Sequence, residues 1–152
     1  MTDTSVRVEN EVLPTRPEQL ALMREPGPDG PIVMVNLLKF RDRAVYDDGR
    51  VCDLTGREAY DIYGNAVGRL IYKHGGKVLF AGNVTALSLG FVDPLWEEIA
   101  LAQYPNRAAL VAMSMSAEWR DIAVHRSAGL LGQLNIETVY TPGFAAMMKA
   151  MG

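Results

Sequence analysis

The chain has 152 residues, 49% apolar and 22% charged, with a formal charge of −3 at pH 7. This is the size of one domain and the composition of an ordinary globular protein, which excludes wholesale disorder. A pI near 5.4 argues against a nucleic-acid partner, which calls for a basic surplus. The single cysteine, Cys52, rules out an intrachain disulfide framework and a multi-cysteine zinc site. The N-terminus has no basic start followed by an apolar stretch. Apolar runs such as Ile32–Val35 fall far short of the ~18 residues of a spanning helix. A cytoplasmic protein with no membrane partner is expected.

In chain order, Val6, Val8 and Val12 are spaced for a short edge strand or a loose arm. Thr15-Arg16-Pro17-Glu18 reads as a capping box opening a helix that stops before Pro26. Residues Ile32–Phe40 (IVMVNLLKF) give the strongest strand signal, apolar on both faces except at Asn36. Arg41–Leu54 is a charged loop. Thr55-Gly56-Arg57-Glu58 is a second capping box. Its helix carries Ala59, Tyr63, Ala66, Val67, Leu70 and His74 on one face and ends at Gly75-Gly76. Lys77–Leu89 and Leu95–Tyr104 are predicted strands joined by a short link at Gly90–Pro94. Asn106 caps a helix that re-caps at Ser116 and runs to about Ala128. Gln133–Tyr140 alternates as a half-buried strand. Thr141-Pro142 opens a last helix, too short to be stable without packing.

From Ile32 the order is β-α-β-β-α-β, which predicts an α+β, ferredoxin-like domain with a four-stranded antiparallel sheet. The organisation is an N-terminal arm and helix (1–30), the ferredoxin-like domain (31–140) and a short C-terminal helix (141–152). Ile32, Met34, Leu38 and Phe40 project opposite to Val33, Val35 and Leu37. One layer of helices covers one of these sets. A second copy of the chain is the economical cover for the other, giving a homodimeric α/β-barrel.

Several motifs occur in order: Pro31–Arg41 (PIVMVNLLKFR), Gly56–Tyr60 (GREAY) with Tyr63-Gly64, Gly75-Gly76, Trp96, Tyr104-Pro105 with Arg107-Ala108-Ala109, and His125-Arg126 with Ala128-Gly129-Leu130. Together they resemble the family called domain of unknown function 1330. That family is similar to the dimeric α/β-barrel superfamily, which includes cofactor-free monooxygenases, haem-degrading monooxygenases, chlorite dismutases and muconolactone isomerases. The resemblance implies the dimeric barrel and no particular reaction. The segment 142–152 lies outside the shared pattern.

The candidate catalytic residues are His125 and Arg126, an imidazole for proton transfer beside a guanidinium for a carboxylate or enolate oxygen. Their plainer reading is a helix-end histidine and an arginine bridged to Asp121. Candidate substrate-binding residues are Asn36, Tyr63, Trp96 and Tyr104. Asn36 is an amide in an apolar strand that needs a partner. Tyr63 lies on the helix stripe, where core packing competes with pocket lining. Trp96 and Tyr104, eight positions apart, share a face if one strand holds both. Tyr60 lies one position off the stripe and is expected to look at the long loop. Lys39 either reaches an acidic loop residue or is solvated.

No cofactor and no metal are expected. His74 and His125 are far apart in sequence, haem has only His125 as an axial candidate, and Cys52 has no local activating base. Two readings follow. The first is a homodimer binding a small aromatic or carbonyl/carboxylate compound in a barrel cavity, as a cofactor-free oxygenase or isomerase. The second is a non-catalytic binding or structural dimer.

Overall fold

The computed structural model describes residues 7–152. Its elements are α1 (Pro17–Leu22), β1 (Ile32–Phe40), α2 (Gly56–Lys73), β2 (Lys77–Asn83), β3 (Glu98–Tyr104), α3 (Arg107–Ser114), α4 (Ala117–Gly129), β4 (Leu130–Thr138) and α5 (Pro142–Met151). The four strands form one sheet in the order β2-β3-β1-β4, and each neighbouring pair is antiparallel. This is the ferredoxin-like topology. Within one chain the sheet is open, with β2 and β4 at its edges.

The helix starts follow their caps. Thr55 accepts from the Glu58 amide and Glu58 reaches back to the Thr55 amide, completing the expected box. Asn106, Ser116 and Thr141 each accept from the amide three residues on. The box expected at Thr15 does not form. Pro17 occupies the first helical position, which pushes Arg16 extended and makes it the N-cap, without a side-chain bond. Thr15 instead donates to Glu11 at 3.2 Å.

The expected edge strand near the N-terminus is a single bridge, Glu11 to Gln133, on the free edge of β4; Val6 lies outside the described residues. The middle strands are shorter than predicted and their link is longer, 84–97. Val84 donates to the Glu97 carbonyl, and the hairpin then leaves the sheet, its register on β1 ending at Leu38↔Glu98 while β1 itself runs on to Phe40. By contrast β4 starts early, at Leu130, directly after the helix.

The helix-covered face carries Ile32, Met34, Leu38 and Phe40 with Tyr60, Tyr63, Val67, Leu70 and Ile71 of α2, together with Ala102, Tyr104 and Leu130. Two glycines bring the layers close. A Cβ on Gly129 would stand 2.2 Å from the Gly56 carbonyl oxygen, and one on Gly56 would stand 2.1 Å from that of Arg41. Backbone contact there fixes the end of α4 over the start of α2.

The other face has no helix across its centre. Val35, Leu37, Ile99, Leu101 and Leu134 are only half-buried and Ile136 is exposed. Two pieces of chain cross its ends. Tyr140 bonds to Gln103 at the Val33 end. At the Lys39 end Asn10 packs against Gly132 and accepts from the Trp96 indole at 2.8 Å. No residue of α5 is buried.

Candidate functional site

Strand parity decides where Asn36 points. It shares a face with Leu38 and Met34, both packed against α2, so it lies on the helix-covered side and not on the face that a second copy would cover. An amide in that layer must be bonded. Its Nδ2 donates to the Ala100 carbonyl at 3.3 Å and weakly to that of Met34 at 3.4 Å. Its Oδ1 accepts from Asn135 and from Gln133 Nε2 at 3.4 Å. Gln133 in turn accepts at Oε1 from Nη2 of Arg126, 3.0 Å away. A polar chain therefore runs from β3 through β1 and β4 to α4, inside the layer.

Three tyrosines enter the same layer. Tyr60, against expectation, is buried, with its ring 5.2 Å from Phe40 and 5.4 Å from Tyr63. Tyr63 accepts from the Trp119 indole at 3.3 Å. Tyr104 is 4% and Tyr60 8% exposed, yet neither hydroxyl has a protein partner among the described residues. No fully buried side-chain polar atom in those residues goes unbonded. Both hydroxyls therefore keep some accessible surface. Burial raises the pKa of all three, so they are protonated donors at neutral pH. Tyr63 adds to the rise at Tyr60 and at Tyr104, and Arg126 opposes it at Tyr60 and Tyr63. On the same sheet face β3 presents Ala100 and Ala102. One end is closed by Arg57, bonded to Glu98 at 2.7 Å and to Asn83. Burial raises the Glu98 carboxyl, and Arg57 partly offsets this.

The structure separates the two proposed catalytic residues. Neighbours on a helix point about 100° apart. Arg126 faces the sheet, whereas His125 faces the 41–54 loop, with Nδ1 2.6 Å from the Tyr46 hydroxyl. The Tyr46 ring meets His125 edge-on at 5.5 Å, and Arg50, held by Asp48, lies 4.4 Å over its other side. Burial, reinforced by Arg50, lowers the His125 pKa and favours the neutral ring. Arg126 bonds to Gln133, not to the Asp121 of the plainer reading. Trp96 falls outside β3 and is held by Asn10, so it does not share a strand face with Tyr104. Lys39 pairs with Glu97 at 3.1 Å. Asn36 and Arg126 are joined through Gln133, and Tyr63 and Tyr104 share the core cluster of the same layer; His125 and Trp96 lie elsewhere.

Sequence reasoning set Tyr60 toward the long loop and passed over Trp119 and Gln133. Tyr60 and Trp119 carried a usable signal. Tyr60 and Tyr63 are three apart on α2, and Trp119 and Arg126 are seven apart on α4, so each pair shares a helix face. Of the two best-formed cavities, one of about 340 Å3 lies at the strand end around Lys39, Arg41 and Glu97. The other, about 230 Å3, lies on the outer α2–α4 groove. Neither is lined by any of the six candidates. Among the described residues no group of three or more His, Cys, Asp or Glu side chains is placed to hold a metal ion. Among the described residues no helix is long and apolar enough to cross a membrane.

The topology defines a ferredoxin-like α+β domain whose apolar core between sheet and helices carries a few polar side chains. The chain belongs to the domain of unknown function 1330 family, whose model matches residues 45–137. It is similar to the crystal structure of a protein of unknown function, RPA0582, from Rhodopseudomonas palustris, at 33% identity and TM-score 0.77, over 88% of this chain and 100% of that one. The methylated RPA0582 protein gives 36% identity and TM-score 0.78, over 88% and 98%. No curated protein matches the chain.

Proposed function

We propose that this protein is a homodimer that binds a small aromatic or carbonyl compound between the sheet and the α2–α4 layer of each chain. One observation carries the binding reading: Tyr60 and Tyr104 are buried side chains whose hydroxyls have no protein partner among the described residues and keep some accessible surface. A folded interior normally bonds such groups, and a concave, mostly apolar site with a few polar heads is the usual form of a small-molecule pocket. The bare apolar face around Val35, Leu37, Ile99 and Leu101 supports the dimer, because an apolar sheet face needs cover.

Two cofactor-free reactions suit such a site, oxygenation of an activated aromatic and isomerisation through an enolate. The second needs a base. Glu98 is the one carboxylate among the groups that act on Tyr60, and its raised pKa suits proton exchange. A second reading, a binding or structural dimer without catalysis, is favoured by the bonding of His125 to Tyr46 and of Arg126 to Gln133.

A thermal-shift screen of small aromatic and β-keto acids tests binding, since a ligand that prefers the native state raises Tm. At least one acid is expected to stabilise the wild type and to lose that effect in Tyr60→Phe/Arg126→Gln. A screen with no stabilising compound would remove the binding reading. Sedimentation at micromolar concentration is expected to give twice the 16.7 kDa chain mass.

A further inference from the structure

Arg126 differs from most of the arginines that the fold half-buries. Arg16, Arg57 and Arg107 each meet a carboxylate within 4.0 Å. Arg41, at the strand end and away from the tyrosines, shares the lack of a carboxylate and gives Nε to the Leu130 carbonyl. Arg126 has no carboxylate partner among the described residues and makes one hydrogen bond, Nη2 to Gln133. Its other nitrogens are unbonded among the described residues and are not fully buried. A guanidinium has five N–H donors and no acceptor, and a partly desolvated cation favours a counter-anion.

The orientation of this guanidinium is dictated from the sheet. The Ala100 carbonyl can only accept, so it fixes the Asn36 amide with Nδ2 toward β3 and Oδ1 toward β4. Asn36 Oδ1 then fixes Gln133 with Nε2 toward β1 and Oε1 toward α4. The relay leaves Arg126 facing an acceptor on one corner only. Beside it, Tyr63 already accepts from Trp119 and so has its own proton to donate.

We infer that the ligand's polar end is an anion that only accepts hydrogen bonds, a carboxylate or an enolate oxygen seated on Arg126, with Asn36 and Gln133 as the positioning residues that aim the guanidinium. This rests on the small-molecule reading above and narrows it: neutral amides and alcohols of the same shape are rejected. The raised pKa values of the tyrosines keep them as donors to the same anion across the neutral range.

The test pairs isosteres that differ in charge, benzoate with benzamide and acetate with acetamide, titrated at constant ionic strength. The Nε–H resonance of Arg126 and the indole N–H of Trp119 are followed by NMR. Benzoate is expected to shift both saturably and to bind at least about tenfold tighter than benzamide, the ratio of a charge-assisted to a neutral hydrogen bond. Arg126→Gln is expected to bring benzoate down to the benzamide level, and Arg126→Lys to recover part of the difference. Gln133→Leu is expected to weaken benzoate several-fold and leave benzamide unchanged; equal weakening of both would reduce Gln133 to a structural role and overturn the positioning claim. Equal affinity for benzoate and benzamide in the wild type would overturn the anion inference and leave the site standing. No saturable shift with any of the four probes would overturn both.

Discussion

On the face beneath α2 and α4, β1 contributes Ile32, Met34, Leu38 and Phe40 to a closed core and sets Asn36 among them. On the opposite face Val35, Leu37, Ile99, Leu101, Leu134 and Ile136 lie at least partly bare. The covered face is an apolar core with a few polar heads set into it, and the uncovered face is apolar where it meets water. The polar heads point to a small ligand, since in such a layer they otherwise cost desolvation. The bare apolar face points to a protein surface. Hydrophobicity alone locates the surface that needs cover. It does not locate the pocket.

The largest expected effect falls on the uncovered face. Ile136→Glu brings a carboxylate from each copy into an apolar contact, a cost of several kcal/mol. Sedimentation is expected to show the mass falling from twice 16.7 kDa to that of one chain, while the circular dichroism spectrum is kept. Leu38→Ala, at a site with 0% exposure in the covered core, is expected to cost about 3 kcal/mol in urea unfolding and to leave the dimer interface itself intact.

Smaller effects separate the tyrosines. Tyr63→Phe removes the acceptor of the Trp119 indole and is expected to cost about 1 kcal/mol. Tyr60→Phe and Tyr104→Phe remove hydroxyls without protein partners, so thermal unfolding is expected to be unchanged or slightly raised while ligand affinity falls. A loss of stability at these two positions equal to that at Tyr63 would mean that they are bonded core residues.

The smallest effect is one of pH. His125 has a lowered pKa in the fold. Below pH about 6.5 the unfolded chain then takes up a proton that the folded chain resists. Its contribution to stability is therefore full above pH about 6.5 and declines as pH falls through the folded value. Glu98, whose pKa is raised, has the opposite sign, stabilising as pH falls through its folded value. Comparing the wild type with His125→Gln isolates the histidine: the variant is expected to lose the decline below pH 6.5.

Much of this was legible in the chain. The capping box at Thr55, Gly75-Gly76 and the apolar run of β1 placed the main elements because they act over a few residues. The face of Asn36 was legible too, since parity ties it to Leu38. So was the divergence of His125 from Arg126, which follows from helical geometry. The partners were not. Trp96 with Asn10, Tyr46 with His125 and Arg126 with Gln133 join segments whose approach depends on how α4 docks, and no local pattern encodes it. The length of the 84–97 link was hidden for a similar reason: its apolar alternation looks like strand, and only the observed pairing, which stops at Asn83↔Glu98 and Leu38↔Glu98, shows where the hairpin leaves the sheet.

The central claim is that ligand and partner use opposite faces of the sheet. A crystal structure of the protein grown with benzoate tests it most directly. The account predicts a carboxylate bonded to Arg126 beneath α2 and α4, near Tyr60 and Tyr63, in a dimer joined through Val35, Leu37, Ile99 and Leu101. Benzoate lying between the two sheets, away from Arg126, would contradict it.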